Sequence, residues 1–243
     1  MEKNIIEIFS SIQGEGKYVG CRQVFVRLEG CNLDCRYCDT ENKPNAHVFC
    51  MVEEKPGSKA FEQVKNPLSI ETVVDRVGKL LEKAPHQAVS FTGGEPLLHG
   101  EFIREFSKKL DVPIFLETNG TLPEKLREII DCVDIISMDV KLPSAVGREL
   151  WDVHRRFLEI ASPKDCYVKM VVSGETTEDE FRRAVDMLAG FSNDVMLILQ
   201  PVTPFGGFTA AAPEQMLEAQ AYALRHLKDV RVIPQTHRMM GQL

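Results

Sequence analysis

Seven short apolar runs, each ending on polar or glycine-rich residues, leave this chain few folds to choose from. They are QVFVRLEG (23–30), QAVSFTGGEP (87–96), VPIFLETNG (112–120), VDIISMDVK (133–141), DCYVKMVVSG (165–174), DVMLILQPV (194–202) and VRVIP (230–234). Ahead of the second run, Ser69 can cap a helix whose Ile70, Val73, Val74, Val77, Leu80 and Leu81 follow helical spacing. Further helices are expected over about 99–110, 123–131 and 145–161. Two more run to about 190 behind a Thr177–Glu180 capping box and from Pro213 to about Leu227. Strands alternating with helices specify a parallel sheet of right-handed β-α-β units. Such sheets and barrels bind ligands at the carboxyl ends of their strands. Here those ends carry Cys31–Thr40, Thr92–Pro96, Glu117–Gly120, Ser137–Lys141, Ser173–Glu175 and Gln200–Pro201. Chemistry-bearing residues fall where the fold puts a site, which points to an enzyme.

One stretch breaks the pattern. Residues 41–68 lack sustained periodicity and contain three prolines, so an irregular insertion with a short hairpin is expected inside a single domain spanning 1–243. A chain of 243 residues with 44% hydrophobic content can bury one sizeable core. No apolar run approaches the roughly 20 residues that cross a bilayer, and the N-terminus lacks a signal-peptide pattern. A cytoplasmic location without membrane association is therefore expected. The net charge of −7 disfavours a nucleic-acid partner, which would call for a basic stripe. Small molecules or other proteins are the expected partners.

In a reducing compartment, seven cysteines argue against a disulfide framework. Three of them are packed into Cys31-x3-Cys35-x2-Cys38, and the others are scattered. Cys132 and Cys166 sit beside strands in apolar surroundings and Cys21 is close to a turn, so these three read as structural. Structural zinc takes four ligands, and the nearby supplements are His47 and Cys50 in the insertion. Iron–sulfur cubanes ordinarily take four thiolates. A cubane held by three leaves one iron open to an exogenous ligand.

The triplet resembles the signature of the radical S-adenosylmethionine (SAM) superfamily, with Tyr37 as the aromatic residue before the last cysteine and TGGEP (92–96) as its second motif. The resemblance implies a 4Fe-4S cluster whose open iron is chelated by SAM, and the glycines and acidic residue of TGGEP near the SAM amino group. Reductive cleavage of SAM then gives a 5′-deoxyadenosyl radical that abstracts a substrate hydrogen. Within that superfamily, IFSSIQGEG (8–16), FVRLEGCNLDCRYCDT, LETNG, SMDVKLPS and IPQTHRMMGQL resemble the 7-carboxy-7-deazaguanine synthase family. That likeness implies an α/β fold, an incomplete, modified TIM-like (β6/α3) partial barrel, acting as a homodimer. It implies ring contraction of 6-carboxy-5,6,7,8-tetrahydropterin to 7-carboxy-7-deazaguanine with loss of ammonia, in the queuosine and deazapurine pathway. SAM would be used catalytically, with Mg²⁺ required and an electron donor such as flavodoxin or ferredoxin.

Carried onto this chain, the resemblance makes Cys31, Cys35 and Cys38 cluster ligands and Thr40 a Mg²⁺ ligand, with Asp39 beside it or opening a turn. Ile12, Gln13 and Gly14 would lie over the pterin, or else form a glycine turn closing a hairpin. Arg27 would grip the substrate carboxylate, or else decorate the sheet surface, and Thr92 would face substrate while Gly94 admits SAM. Tyr37, Ser137, Asp139, Lys141, Ser173, Gly174, Glu175, Thr176 and Gln200 would contact SAM, and Glu117 and Asn119 its ribose hydroxyls. Gln235 and His237 would close the substrate pocket. No side chain stands out as a protein acid or base. Two other readings remain at this point: an activase placing a glycyl radical on a partner enzyme, and a zinc-binding interaction module.

Overall fold

The structure is a computed structural model that describes residues 1–38, 40 and 46–242. Its strands are β1 (Glu2–Lys3), β2 (Ile5–Ile12), β3 (Arg22–Leu28), β4 (Phe49–Glu53), β5 (Phe61–Lys65), β6 (Leu68–Ser69), β7 (Ala88–Gly93), β8 (Ile114–Thr118), β9 (Ile135–Asp139), β10 (Asp165–Val172), β11 (Leu197–Pro201) and β12 (Val230–Val232). Its helices are α1 (Ile70–Lys83), α2 (Gly100–Ser107), α3 (Pro123–Ile129), α4 (Pro143–Val146), α5 (Trp151–Ala161), α6 (Glu178–Phe191), α7 (Pro213–Ala223) and α8 (Thr236–Met239). Ten strands form one sheet in the order β12-β11-β10-β9-β8-β7-β3-β2-β4-β5. From β12 through β3 every pairing is parallel, and β2 then joins β3 antiparallel as a hairpin. The two edge strands do not pair with each other, so the barrel stays open. All seven expected strands are present, and the insertion supplies the hairpin β4–β5, whose β4 extends the sheet alongside β2.

Side-chain alternation assigns each strand two faces. Val89, Phe91, Leu116, Ile136, Met138, Val168, Met170, Leu197 and Leu199 pack outward in a single core with Val73, Val77, Phe102, Phe157, Phe181 and Leu188 of the helices. Inward, Ala88, Phe115, Ile135, Tyr167 and Ile198 form a second apolar cluster. Tyr18 plugs its lower end: the ring meets Phe115 edge-on at 5.8 Å, and its hydroxyl donates to Asp165. The next inward positions toward the carboxyl ends are polar. This change divides the barrel interior into an apolar floor and a polar chamber.

The helices follow their local signals. Ser69 Oγ accepts from Thr72 N at the start of α1, and the Thr177–Glu180 capping box at the start of α6 is complete. The single helix expected over 145–161 is instead two, α4 and α5. Gly147, at φ +71°, gives α4 a left-handed C-cap, so the chain turns before restarting at Trp151. Among the described residues, no helix is long and apolar enough to cross a membrane.

Gly93 is the point at which the sheet tolerates nothing larger. Its φ is +121°, and an added Cβ would sit 2.1 Å from Leu28 O, in the strand it pairs with. Gly93→Ala therefore combines backbone strain with a clash against backbone that cannot swing away. It should destabilise the chain by about 3 kcal/mol or more in urea unfolding. Gly190→Ala, in α6 with open space around the added Cβ, should instead stabilise by about 0.5–1 kcal/mol.

Candidate active site

A cleft of about 210 Å³ opens at the carboxyl ends of the parallel strands. Inward-facing residues form its wall: Arg27 on β3, Thr92 on β7, Glu117 on β8, Ser137 and Asp139 on β9, Lys169 on β10 and Gln200 on β11. Cys31, Cys35, Cys38, Tyr37, Thr40, Gly94, Asn119, Lys141 and Gln235 also line it. A smaller recess, bounded by Ile12, Gln13, Gly14, Phe9, Phe25 and His237, shares Glu15, Arg27, Thr92, Glu117 and Gln235 with the cleft. One end thus presents thiols and the other nitrogen and oxygen donors. Asp39 lies outside the described residues.

The cysteine loop is held from three sides. Asn119 Nδ2 donates to Asn32 Oδ1 at 2.9 Å, and Arg36 N donates to Ala145 O at 3.0 Å. From above, Phe208 packs edge-on against Tyr37 at 5.5 Å while the Arg36 guanidinium lies 5.0 Å over the Phe208 ring. Lys141 reaches under Tyr37, 5.2 Å from the ring centre, and pairs with Asp139 Oδ2 at 2.8 Å. Burial pushes the Cys35 thiol up to about 11, so the bare thiol keeps its proton until a metal replaces it.

Several expected roles change once partners are visible. Both N–H donors of the Gln13 amide are taken, by Gln23 Oε1 at 3.1 Å and Glu117 Oε1 at 2.8 Å, and its oxygen accepts from Glu15 N at 3.0 Å, which leaves one acceptor position on Oε1 for a ligand. Glu117 lines both the cleft and the recess, and its carboxylate accepts from Gln13 Nε2 at 2.8 Å and Thr92 Oγ1 at 2.9 Å. The Asn119 carboxamide is taken up by Asn32 and Thr121, which makes it a brace for the cysteine loop. Ser173, Gly174, Glu175 and Thr176 do not line the cleft. The Glu175 carboxylate accepts from Thr209 N and Oγ1 at 2.9–3.1 Å, and Gly174 N donates to Thr209 O, so this segment anchors the loop that carries Phe208.

Glu95 of TGGEP also departs from expectation. It is fully buried and accepts from Leu97 N, Thr118 Oγ1 and Asn119 N at 2.8–3.0 Å, so it shapes the turn from behind and does not line the cleft. Cys50 is fully buried in the core, and His47 Nδ1 lies 3.1 Å from Glu29 Oε1, so neither completes a zinc site. Glu15, Lys169 and Arg238 line the cleft without having been singled out in the sequence. Lys169 carried a usable signal, since strand alternation places it inward between Tyr167 and Val171.

The sequence pattern of the radical SAM superfamily matches residues 25–188. A 7-carboxy-7-deazaguanine synthase of Geobacter sulfurreducens is 46% identical, covering 98% of this chain and 96% of that protein. The chain belongs to this family of radical SAM enzymes. A synthase of the same name from Methanocaldococcus jannaschii is 36% identical over 98% of this chain and 100% of its own length. The crystal structure of QueE from Escherichia coli, 20% identical, superposes with a TM-score of 0.62 over 98% of this chain and 95% of that one, which supports the partial-barrel fold. These relatives lend no support to an activase or a zinc-binding module.

Membership of the superfamily implies SAM and a 4Fe-4S cluster, and the cleft suits both. Among the described residues, no three His, Cys, Asp or Glu side chains converge as they would on a single ion. The three thiols instead share the wall of one cavity, as a cubane that takes each thiolate at a different iron requires. Beside them, Asp139 Oδ1 and Gln200 Oε1 are buried acceptors without a protein partner, and both residues line the cleft. Orphaned acceptors of this kind call for donors from a bound molecule.

Burial raises the Glu95 carboxyl from 4.5 to about 7, against the pull of its three hydrogen bonds. A carboxyl that binds its proton more tightly in the folded state favours folding fully below pH 4.5 and loses that contribution as pH rises through about 7. The unfolding free energy of the cluster-free chain, measured against Glu95→Gln in urea, should therefore show a difference that falls by about 3 kcal/mol across this window.

Proposed function

We infer that the chain acts as a 7-carboxy-7-deazaguanine synthase, converting 6-carboxy-5,6,7,8-tetrahydropterin to 7-carboxy-7-deazaguanine with loss of ammonia. The observation that carries this reading is kinship at 46% identity over nearly the full length with a protein of that name. When bound, the cluster and SAM supply the abstraction of a substrate hydrogen atom. The chain's own residues position, screen and orient.

Cys31, Cys35 and Cys38 would hold the cluster. Tyr37, Gly94, Ser137, Asp139, Lys141 and Gln200 would surround SAM, with the free oxygens of Asp139 and Gln200 accepting from it. At the opposite end, Arg27 gives Nε to Glu7 Oε1 at 2.6 Å, and no other described residue takes its terminal nitrogens. A substrate carboxylate can accept from those nitrogens. Thr92 and the Ile12–Gly14 backbone would flank the ring, while Gln235 and His237 close the recess. Thr40 offers a hydroxyl and stands in the cleft wall, which suits a hard ion such as Mg²⁺ bridging protein and substrate oxygens. We further propose that the whole of 1–243 works as a single domain in a cytoplasmic homodimer reduced by a flavodoxin or ferredoxin.

Anaerobically purified protein should be brown, with iron and sulfide in cubane proportion; colourless protein with one zinc would sink the reading. Reduced enzyme given SAM, Mg²⁺ and 6-carboxytetrahydropterin should yield a deazaguanine by mass, together with ammonia. SAM cleavage without that product would overturn the substrate assignment. Cys35→Ala should lose both cluster and SAM cleavage.

A further inference from the structure

Four charged side chains form a ladder across the barrel interior. Lys141 pairs with Asp139 Oδ2 at 2.8 Å, Lys169 stands 3.6 Å from the same oxygen, and Lys169 also pairs with Glu15 Oε2. Asp139 and Lys169 are register partners on β9 and β10, so the sheet itself places that rung. Two cations and two anions balance, as buried charges require. The last rung reaches the substrate end, because Glu15 lines both the cleft and the recess. Gln235 Nε2 donates to Glu15 Oε1 at 2.7 Å, and Glu15 N donates to Gln13, which in turn holds Glu117.

The ladder determines what each end can do. Lys169 is held between two carboxylates that raise its affinity for its proton, so it is a fixed ammonium and cannot serve as a base. Its ammonium is held by Glu15 and Asp139, whereas Arg27 gives only Nε to Glu7 and keeps its terminal nitrogens for a substrate carboxylate. Glu15, conversely, is held ionised down to about 2 although burial alone would push it up. An ionised carboxylate is an acceptor only, and a reduced pterin carries several N–H donors on its ring edges.

Resting on the functional reading above, we propose that Glu15 is a substrate-contacting acceptor for the N–H edge of the pterin, and that Lys169 is the positioning residue that keeps it ionised and aimed. The charged and titratable groups around Glu15 are Lys169 and Tyr167 from β10 and His237 from α8, with Arg27 and Glu117 across the shared recess; Asp139 and Lys141 act on it through Lys169. Removing the ammonium leaves burial opposed only by the Gln235 hydrogen bond and by His237, so Glu15 would bind a proton more tightly. Substrate affinity would then acquire a pH dependence that the native ladder suppresses.

The test is equilibrium binding of 6-carboxytetrahydropterin to unreduced, cluster-loaded, SAM-bound enzyme by anaerobic calorimetry from pH 5.5 to 8. Lys169→Met should weaken binding at least tenfold at pH 6 and recover part of that loss by pH 8, while Lys169→Arg should bind within about threefold of wild type at every pH. Glu15→Gln should be at least tenfold weaker without the added pH dependence, and it retains His237, whose own titration is thereby controlled. Unchanged affinity in Glu15→Gln would overturn the proposal, as would a uniform loss in Lys169→Met that no pH relieves. If Lys169→Met fails to fold, Glu15→Gln decides alone. Wild-type enzyme that neither binds nor converts the pterin would refute the functional reading instead.

Discussion

Everything at this site depends on a parallel sheet being covered on both faces. Helices cover the outer side, so outward positions are uniformly apolar. The inner side is covered only as far as the Tyr18 floor, and above it the same alternation delivers polar and charged residues to an enclosed space. One rule of backbone geometry therefore produces both the core and the cleft. A register slip of one residue in β9 would send Ser137 and Asp139 into the outer core and Met138 into the chamber. The outer core consequently enforces the placement of the site.

The cysteine loop has little apolar content of its own, and its shape comes from what is packed around it. Phe208 on Tyr37, Arg36 over Phe208 and Asn119 on Asn32 connect it to segments far along the chain. The loop carrying Phe208 is tied in turn by Glu175 to the end of β10. Residues 173–176 thus influence the cleft at one remove, which explains how a segment can carry a family motif without facing the cavity. Glu95 acts similarly, trading its exposure for three hydrogen bonds that fix the turn where two glycines run along the cleft wall.

The strand order of motifs, the helix caps and the convergence of Arg27, Thr92, Glu117, Ser137, Asp139 and Gln200 were legible because period, turn chemistry and strand direction are local properties. What each polar side chain does with its hydrogen-bonding capacity was not. Gln13 meets Glu117, 104 residues away, and Glu175 meets Thr209, 34 residues away. Nothing near either residue in sequence announces such a partner. The break between α4 and α5 was readable in principle from Gly147, which ends α4 in a left-handed conformation inside the span expected to be one helix.

Lys169 marks the boundary between the two kinds of information. Alternation alone places it inward, yet an isolated inward lysine in a run of apolar residues has no evident purpose. The purpose emerges from Glu15 on a loop 154 residues away and from Asp139 on the neighbouring strand. A lone ammonium there would be costly to bury, and so would either carboxylate, so each charge requires the others. Such mutual dependence fixes positions more sharply than apolar packing does, because a displaced charge loses its partner whereas a displaced methyl group only loosens a contact. In a barrel left open at one side, this ladder links the loop carrying Glu15 to β10 and to the end of β9.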